Sequence, residues 1–504
     1  MKTTRSDAFL LLLLMAIFWL GVLRHIDLPG LYMDAVNPDY LVARAINPRV
    51  WNPDWLSQAW LVPTATFPIL GNLYHGVQNY YFELLSLRVL GVSVASVRIS
   101  QAFFGALTVA FLYVTAVILT RNRLAAFIGA ALLACDIAFI ASFRTQFYII
   151  LGGEMWLFAS LMALYYGRPL GFFLSGVCFG LSTYGYFVLG FFAPAMAVLV
   201  LARPDRRPFH WIGGFCVGLL PYVAGYASLV SAQGDLHGAL AWLQAATRGL
   251  APLSSHLSLL DSLRYTSQIA WFALSDAGNE SMLFGRSVSG VWAVIKVATI
   301  VAIILAFLVR GKETQTKLLI LMPASYFCVA AIFGSRLWAH HFSTLVPVAY
   351  LLLAAAAAEF LSGNKHRLLV FGVAIVFVAG NLHQGNNFYR ALEATGGVGK
   401  TTDALSRLAT DARDRPDTLY VFPDWGFFMS FNLLTENRVP YVLDADHIAD
   451  ARGERTNVEI VFWAPSDEKK YRDALTAAGA KTVESRAYYR RDGMLAFEAL
   501  VGRF

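Results

Sequence analysis

The sequence predicts a mostly α-helical polytopic membrane protein, with about eleven spanning helices, helices lying in the external interface, and a small C-terminal α/β domain. Of its 504 residues, 57% are hydrophobic and 14% are charged, whereas about a quarter of the residues in soluble domains are charged. The apolar residues form blocks long enough to cross the roughly 30 Å hydrocarbon layer as helices. The basic residues form short clusters between these blocks, as the positive-inside rule produces, so the net charge of +7 does not indicate a nucleic-acid partner.

The positions of the basic clusters decide how many of the apolar blocks cross the membrane. The blocks are 8–26, 70–92, 98–119, 124–141, 147–166, 169–184, 187–202, 210–231, 288–309, 317–334, 340–361 and 367–382. If all twelve crossed, the clusters at 121–123 and 203–207 would lie outside, against the positive-inside rule. Block 70–92 has a polar face, which favours a helix lying in the interface. Without it, eleven spans remain, and loops 27–97 and 232–287 are external.

The chain after residue 382 is more charged and predicts a separate external domain over 383–504, beside a membrane module over 1–382. Apolar runs that indicate strands alternate there with helical patterns, which is typical of an α/β domain. The strands are predicted at 419–422, 439–443 and 458–463 and twice near the C-terminus, and the helices near 400–413, after 424 and near 467–479. The glycine-rich stretch Thr395–Thr401 resembles a phosphate-binding loop, but no apolar strand precedes it, so we interpret it as a helix start.

The first external loop carries the candidate catalytic base, Asp34. The segment Asn37–Tyr40 predicts a helix start, with Asn as the N-cap, Pro at the first helical position and Asp39 in the first turn. Asn52–Trp55 repeats this pattern. Asp39 therefore has a structural explanation, whereas Asp34 stands before the cap in a loop that follows directly on the first span. We expect the carboxylate of Asp34 to face the membrane surface.

Cationic side chains are predicted on the same side of the membrane as Asp34. Arg144 lies at one external helix end, and Arg336 with His340 and His341 lies at another. A carboxylate base together with positive charge suits a transfer in which an acceptor loses a proton and a phosphate departs. The alternative for each cation is an interfacial or solvated charge. Their convergence on one side favours phosphate binding.

The order of these features resembles the GT-C class of membrane glycosyltransferases, in the branch that contains the lipid A aminoarabinose transferase and the protein O-mannosyltransferases. The matching stretches, which extend over most of the chain, are Gly91–Ser93 with Val97–Ser100, Ser142–Thr145, Leu181–Tyr186, His341–Pro347 and Asp424–Gly426. The resemblance implies an inverting transfer of a hexose or pentose from a polyprenyl-phosphate donor to a lipid, glycan or protein acceptor. It places the reaction outside the inner (plasma) membrane, with Asp34 as the catalytic acid residue. Relatives commonly have Glu where Ala35 follows Asp34.

The resemblance also implies roles for the other candidate residues. Tyr184 stands where relatives have a Lys that faces the carrier phosphate, so Arg144, Arg336 and His341 would compensate. His75 stands where aminoarabinose transferases place a metal-contacting Glu; on its own it is either a metal or phosphate ligand or a surface histidine. No cofactor is required and no metal ligands are assigned, while a divalent metal is compatible with this chemistry. The predicted substrate-binding set is Asp39, His75, Arg144, Tyr184, Arg336, His340 and His341.

Two other functions are compatible with the sequence. A lipid-linked glycan flippase would also have many helices, but transporters usually contain internal repeats, and the sequence shows no such repeat. An O-antigen ligase or polymerase would use the arginines and histidines of loop 232–287. These residues are His237, Arg248, His256 and Arg264. The acid in the first loop favours the glycosyltransferase, and comparing Asp34→Asn with His256→Ala separates the two enzymes.

Overall fold

A computed structural model describes residues 5–37, 39–48, 68–71, 74–250, 257–311, 314–362 and 366–504. Within these ranges most residues are helical, and one five-stranded sheet lies near the C-terminus. The apolar helices form a bundle whose buried core extends from Leu14 in the first helix to Leu392 in the last. The predicted fold, a polytopic helix bundle with a small C-terminal α/β region, is confirmed.

The bundle is built from helices of very different lengths. In the described ranges they are α1 (Arg5–Leu23), α2 (Val42–Ile46), α3 (Gln78–Leu90), α4 (Val94–Thr120), α5 (Arg123–Ala134), α6 (Ile137–Ser142), α7 (Tyr148–Leu151), α8 (Glu154–Tyr166), α9 (Pro169–Gly185), α10 (Ala193–Leu201), α11 (Pro208–Gly218), α12 (Leu220–Ala232), α13 (Leu236–Leu250), α14 (Leu259–Ser275), α15 (Ala277–Phe284), α16 (Val291–Arg310), α17 (Thr314–Lys317), α18 (Leu321–Phe333), α19 (Leu345–Leu361) and α20 (Arg367–Thr395). Side-chain caps fix the starts of four of them, because a backbone N–H donates to Ser93 before α4, Asn122 before α5, Asp136 before α6 and Ser258 before α14.

Seven helices of the described residues are long and apolar enough to cross a membrane, and the bent pair α11 and α12 makes an eighth if it forms one span. Each of the eleven blocks predicted to cross contains helix. Some are too short to cross as one helix: α5 has 12 residues and is therefore about 18 Å long. The break at Cys135 and Asp136 separates α5 from α6. The count of eleven spans stays a prediction.

Helix α3 occupies the block predicted to lie in the interface. It buries Tyr80, Glu83 and Leu87, and this side packs against the first loop and α4. Leu85 and Val89 on its other side are exposed. An apolar side left uncovered by protein suits a helix that lies in the lipid interface, so the structure is compatible with the predicted position.

An ion pair is buried where α6 begins. Asp136 caps α6 by accepting from the Ala138 N–H at 2.9 Å, and it also accepts from Lys296 Nζ at 2.9 Å and from the Tyr350 hydroxyl at 2.5 Å. The side chains of Lys296 and Asp136 are 0% and 1% exposed. Charges persist inside an apolar bundle when each is paired and hydrogen-bonded. This pair therefore ties α6 to α16 and α19.

The C-terminal region contains a mixed five-stranded sheet with helices. Its elements are β1 (Thr418–Val421), β2 (Tyr441–Val442), β3 (Asn457–Phe462), β4 (Thr482–Tyr489), β5 (Leu495–Arg503), α21 (Ala404–Arg413), α22 (Phe428–Leu434), α23 (Ile448–Arg452) and α24 (Glu468–Ala477). The strand order is β2-β1-β3-β5-β4, with β1 parallel to β2 and β3, and β5 antiparallel to β3 and β4. Helix α20 continues to Thr395 without a break, beyond the predicted domain boundary at 382.

The C-terminal region packs directly on the first loop. Leu31 and Met33 share one hydrophobic core with Phe428 of α22, and the Ser430 hydroxyl donates to the Leu31 carbonyl at 2.9 Å. Apolar burial and a backbone contact together fix the position of the loop. The loop that carries Asp34 is therefore held between the bundle and the C-terminal region.

We expect Lys296→Met to lower the free energy of unfolding by about 3–5 kcal/mol, because it leaves the Asp136 carboxylate buried without its cation. The double variant Asp136→Asn/Lys296→Met removes both charges and should recover much of this loss. Thermal unfolding of the detergent-purified variants gives the comparison. Equal destabilisation by the single and double variants would contradict the pairing.

We predict that residues 205 and 450 lie on opposite sides of the membrane, because basic cluster 203–207 is held inside by the positive-inside rule. In a variant without native cysteines, Asp450→Cys should react with a membrane-impermeant maleimide on intact cells. Asp205→Cys should react only after the membrane is opened. Labelling of residue 205 from outside, or protection of residue 450, would show that the topology is wrong.

Candidate active site

Arg144, which was predicted to bind a carrier phosphate, is buried against the end of α1. Its Nη1 donates to the carbonyls of His25 and Leu28 at 2.7 and 2.6 Å. Its Nη2 donates to the carbonyls of Val22 and Arg24 at 2.6 and 2.5 Å. A helix leaves its last carbonyl groups without partners inside the helix, and Arg144 supplies donors for them. Both terminal nitrogens of Arg144 are thus engaged with backbone carbonyls, and its predicted contact with a carrier phosphate stays a prediction.

Arg98 of α4 binds the next part of the same segment. Its Nη1 donates to the Ile26 carbonyl at 2.5 Å, and its Nη2 donates to the carbonyls of Pro29 and Gly30 at 2.5 and 3.3 Å. Its side chain is almost completely buried. We call Arg98 and Arg144, with the carbonyl groups of residues 22–30, the arginine clamp. The clamp fixes the chain that leads from α1 to Asp34.

Asp34 follows the clamp in a short 3-10 helix, Met33–Val36, and its side chain is partly buried. Tyr32 hydrogen-bonds to the Asp34 carboxylate, and Trp425 hydrogen-bonds to Tyr32. Burial raises the pKa of Asp34 above its ordinary value, while the Tyr32 hydrogen bond and the positive charge of Lys400 act in the opposite direction. A carboxylate with a raised pKa is a stronger base than an exposed one. The surroundings of Asp34 therefore suit proton removal.

An aromatic and histidine cluster lies beside Asp34. Burial raises the pKa of Tyr186, and the charge of Asp34 adds to this effect. The Tyr186 hydroxyl lies 3.1 Å from Nε2 of His341, and the His75 ring stacks on Tyr186 with centroids 5.7 Å apart. Nδ1 of His341 accepts from the Trp338 N–H at 2.9 Å, so neutral His341 carries its proton on Nε2 and donates to Tyr186.

His340 extends this cluster towards α7. Its ring centroid lies 4.0 Å from that of His341, and its Nδ1 lies 3.3 Å from Nε2 of Gln146. The structure thus groups His75, His340 and His341 around Tyr186. Tyr186 was part of a matching stretch, but no sequence pattern selects it, because its central position depends on residues far apart in the chain.

Asp39 does not have the capping environment that its sequence pattern predicted. Its side chain is buried in the 3-10 helix Asp39–Leu41 and hydrogen-bonds to Glu83 and Gln101. Within the described residues, Oδ1 of Asn37 has no hydrogen-bond partner, so the predicted side-chain cap is not formed. Pro38 and the similar segment 52–55 lie outside the described residues. Burial raises the pKa of both Asp39 and Glu83, and the charge of Asp39 also raises that of Glu83.

His75 is buried rather than exposed at the surface. Its Nδ1 donates to the Gly76 carbonyl at 3.0 Å, and burial lowers its pKa to about 4, so the ring is neutral at neutral pH. In the part of the chain that the structure describes, no group of three His, Cys, Asp or Glu side chains is placed to hold a metal ion. No metal ligand is therefore assigned to His75, and compatibility with a divalent metal stays a prediction.

Tyr184 packs against Gly76, the neighbour of His75. Tyr184 donates to the Ile69 carbonyl at 2.5 Å and accepts from the Val77 N–H at 3.3 Å, and its ring fills the space where Gly76 has no side chain. The Tyr184 side chain therefore holds the backbone at Ile69 and Val77, and its predicted role in substrate binding stays a prediction. Arg336 is exposed at the end of a 3-10 helix, so its predicted role stays a prediction.

Lys400 is a second residue that sequence reasoning missed. It follows the glycine-rich stretch, in the 3-10 helix Gly399–Thr401. This stretch ends α20 rather than starting a helix, because Gly396 and Gly397 adopt φ values of +68° and +92°, which glycine tolerates best. A phosphate-binding loop requires a strand before it, and here a helix precedes it, so that resemblance does not hold.

Two close approaches at glycine residues bring Lys400 towards Asp34. A Cβ added at Gly426 would lie 3.1 Å from Cδ of Lys400, and a Cβ added at Gly30 would overlap the Thr402 carbonyl. The glycine-rich stretch therefore lies directly on the first loop. This contact explains why the Lys400 charge acts on the Asp34 carboxylate. In the sequence, the only feature that marked Lys400 as a candidate was its position in an unusual glycine-rich motif.

The residues that a ligase or polymerase would use do not form a site in the described part of loop 232–287. His237 is exposed, and Arg264 lies 3.6 Å from Asp261 on an exposed part of α14. His256 and the side chain of Arg248 lie outside the described residues. No observation on the described residues therefore favours this alternative.

Comparisons with known proteins agree with this arrangement. The family model for dolichyl-phosphate-mannose-protein mannosyltransferases matches residues 75–227. The crystal structure of ArnT from Cupriavidus metallidurans bound to undecaprenyl phosphate is similar, with a TM-score of 0.57 and 10% identity over 99% of this chain and 98% of that chain. At this identity the likeness shows the fold. No curated protein sequence matches the chain significantly.

A weaker likeness exists to arabinofuranosyltransferase AftD from Mycobacteria, with a TM-score of 0.46 and 15% identity over 100% of this chain and 42% of AftD. This score is too low to support an inference. The chain therefore has the fold of ArnT over nearly its whole length, and its residues 75–227 are similar to the dolichyl-phosphate-mannose-protein mannosyltransferases.

Proposed function

We propose that this glycosyltransferase takes a sugar from a polyprenyl-phosphate carrier and transfers it, with inversion, to a lipid, glycan or protein outside the inner membrane. The observation that carries the proposal is the partly buried carboxylate of Asp34, which lies beside a cation and below the C-terminal region. ArnT, which has the same fold, was crystallised with undecaprenyl phosphate bound. A polyprenyl phosphate is therefore the carrier that the fold favours.

In the proposed reaction Asp34 accepts the proton of the acceptor nucleophile while that nucleophile attacks the anomeric carbon. The bond from the anomeric carbon to the phosphate oxygen breaks, and the polyprenyl phosphate leaves with the electron pair. A single displacement of this kind inverts the anomeric centre. Phosphate leaves as a stable anion, so the site needs a base and positive charge but no second acid.

We propose that Lys400 supplies positive charge for the carrier phosphate. Without substrate, the ammonium group of Lys400 lowers the pKa of Asp34. When the carrier phosphate binds, the flexible Lys400 side chain is expected to turn to it, because a phosphate attracts an ammonium more strongly than one carboxylate does. The pKa of Asp34 then rises towards the value that burial imposes, and Asp34 becomes a stronger base as the donor arrives.

The neutral histidines and Tyr186 are proposed to orient the sugar. Neutral donors and acceptors bind hydroxyl groups without competing with Lys400 for the phosphate. The His341 bond to Tyr186 fixes the direction of both side chains. Arg336 is exposed at the end of the 3-10 helix Gly334–Arg336, shortly before His340 in the chain. It is a candidate contact for the carrier.

We expect Asp34→Asn to lower the rate of transfer at least about a hundredfold, because it keeps the size of the side chain and removes the base. The assay uses membranes supplied with radiolabelled polyprenyl-phosphate sugars, one donor at a time. His256→Ala tests the alternative that the protein is an O-antigen ligase or polymerase, and this variant should retain transfer activity. Near-normal transfer by Asp34→Asn with an inactive Asp39→Asn would mean that the base is Asp39 of the carboxyl pair.

We expect Lys400→Gln to raise the KM for the donor by about tenfold to a hundredfold. This change corresponds to the loss of a charge-assisted phosphate contact of roughly 1.5–3 kcal/mol. The substitution also removes a charge that lowers the pKa of Asp34. Asp34 in the free enzyme then loses its proton at a higher pH, so the acidic limb of the kcat/KM profile should move to higher pH.

The matched control for this experiment is Lys469→Gln, which removes an exposed lysine from α24 of the same region. The control should leave both the donor KM and the pH profile unchanged. A Lys400→Gln enzyme with normal KM and an unshifted acidic limb would show that Lys400 does not act at the site.

A further inference from the structure

A cavity of about 500 Å³ lies between two helix turns of the bundle. The turn from α4 to α5 contributes Arg121 and Arg123, and the turn from α8 to α9 contributes Tyr165, Tyr166 and Arg168. The remaining lining comes from the last turns of α4 and is apolar. The cavity therefore combines three guanidinium groups with aromatic and aliphatic side chains.

This cavity lies at the end of the bundle away from Asp34. Helix α4 has 27 residues and is therefore about 40 Å long. Its first residue, Val94, belongs to the hydrophobic core that contains Met33, whereas its last turns line the cavity. Arg123 also binds Asp7 near the start of α1, while Asp34 follows the end of α1. The positive-inside rule predicts that the cavity opens to the cytoplasmic leaflet.

Two of the three arginines are not neutralised by the described residues. Arg123 forms a bidentate pair with Asp7, with N–O distances of 2.6 and 3.2 Å. In the described part of the chain, no acid lies within ion-pair distance of Arg121 or Arg168, and both are exposed. Arg168 lies over the Tyr166 ring at 5.4 Å. The cavity therefore has a positive charge that a ligand would balance.

The conformation of Arg121 adds a second observation. It ends α4 with a φ of +54°, in the left-handed region where a side chain costs roughly 1 kcal/mol and glycine costs nothing. The strained arginine supplies a guanidinium at the cavity that glycine would not supply.

We propose that this cavity binds the phosphate of an anionic glycerophospholipid from the surrounding bilayer. Arg121 and Arg168 would contact the phosphate oxygens, since a guanidinium matches phosphate with paired hydrogen bonds. The acyl chains would lie along Val117 and Ile118, and Tyr166, which is 56% exposed, would lie at the headgroup level, where tyrosine is enriched. A basic pocket between helices at the cytoplasmic surface is suited to such headgroups. The bound lipid would join the α4–α5 and α8–α9 turns.

Native mass spectrometry and thermal unfolding of the detergent-purified full chain test this proposal. The probes are phosphatidylglycerol, phosphatidylcholine and inorganic phosphate. Phosphatidylglycerol should bind and raise Tm, and the double variant Arg121→Gln/Arg168→Gln should bind it about thirtyfold more weakly, at roughly 1 kcal/mol for each arginine. The control Arg206→Gln/Arg207→Gln removes two exposed arginines of a neighbouring basic cluster and should bind normally.

Four results would overturn the proposal. Equal binding of phosphatidylcholine would show that charge is not recognised, and equal weakening by both double variants would show only a general surface charge. A Tm increase from inorganic phosphate that equals the increase from phosphatidylglycerol would show that the ligand is a soluble anion. If the double variant does not fold, the single variant Arg168→Gln is measured instead. Unchanged binding of phosphatidylglycerol to this single variant would also overturn the proposal.

Discussion

The arginine clamp is the constraint on which the rest of the site depends. The end of a helix leaves carbonyl groups that require donors, and a carbonyl buried without one is costly. Arg98 provides these donors from α4 and Arg144 from the turn after α6, so the chain from residue 22 to 30 has one fixed course. Two buried cations are stable here because they are surrounded by the oxygens of the backbone. The position of Asp34 relative to the bundle follows from this contact.

The C-terminal region completes the site from the other side of the first loop. Gly30 and Gly426 lack side chains where the two segments approach each other, and Ser430 bonds to the loop backbone. The carboxylate, the cation and the histidine cluster thus come from three parts of the chain. The base is held rigidly by the clamp, whereas the cation is on a flexible side chain. This difference fits a site in which Lys400 turns from the vicinity of Asp34 to the donor phosphate.

Apolar periodicity and charge bias were sufficient to predict the bundle, the α/β region and an acid that follows the first helix. They failed where a side chain's partner is distant in the chain. The partners of Arg144 in residues 22–28 are backbone atoms, which no sequence motif records. Asp39 matched a capping pattern, yet Glu83 from α3 is its partner. Lys400 lies more than 300 residues from Asp34, and only its glycine-rich surroundings marked it as unusual.

A structure of the full chain with a non-hydrolysable polyprenyl-phosphate sugar analogue tests the central claim most directly. The account predicts a phosphate oxygen at roughly 3 Å from Nζ of Lys400, and an Asp34 carboxylate that faces the anomeric carbon from the side opposite the phosphate, within reach of an acceptor hydroxyl. A phosphate bound by Arg336 and His340 and not by Lys400, with Asp34 turned away from the sugar, would contradict it.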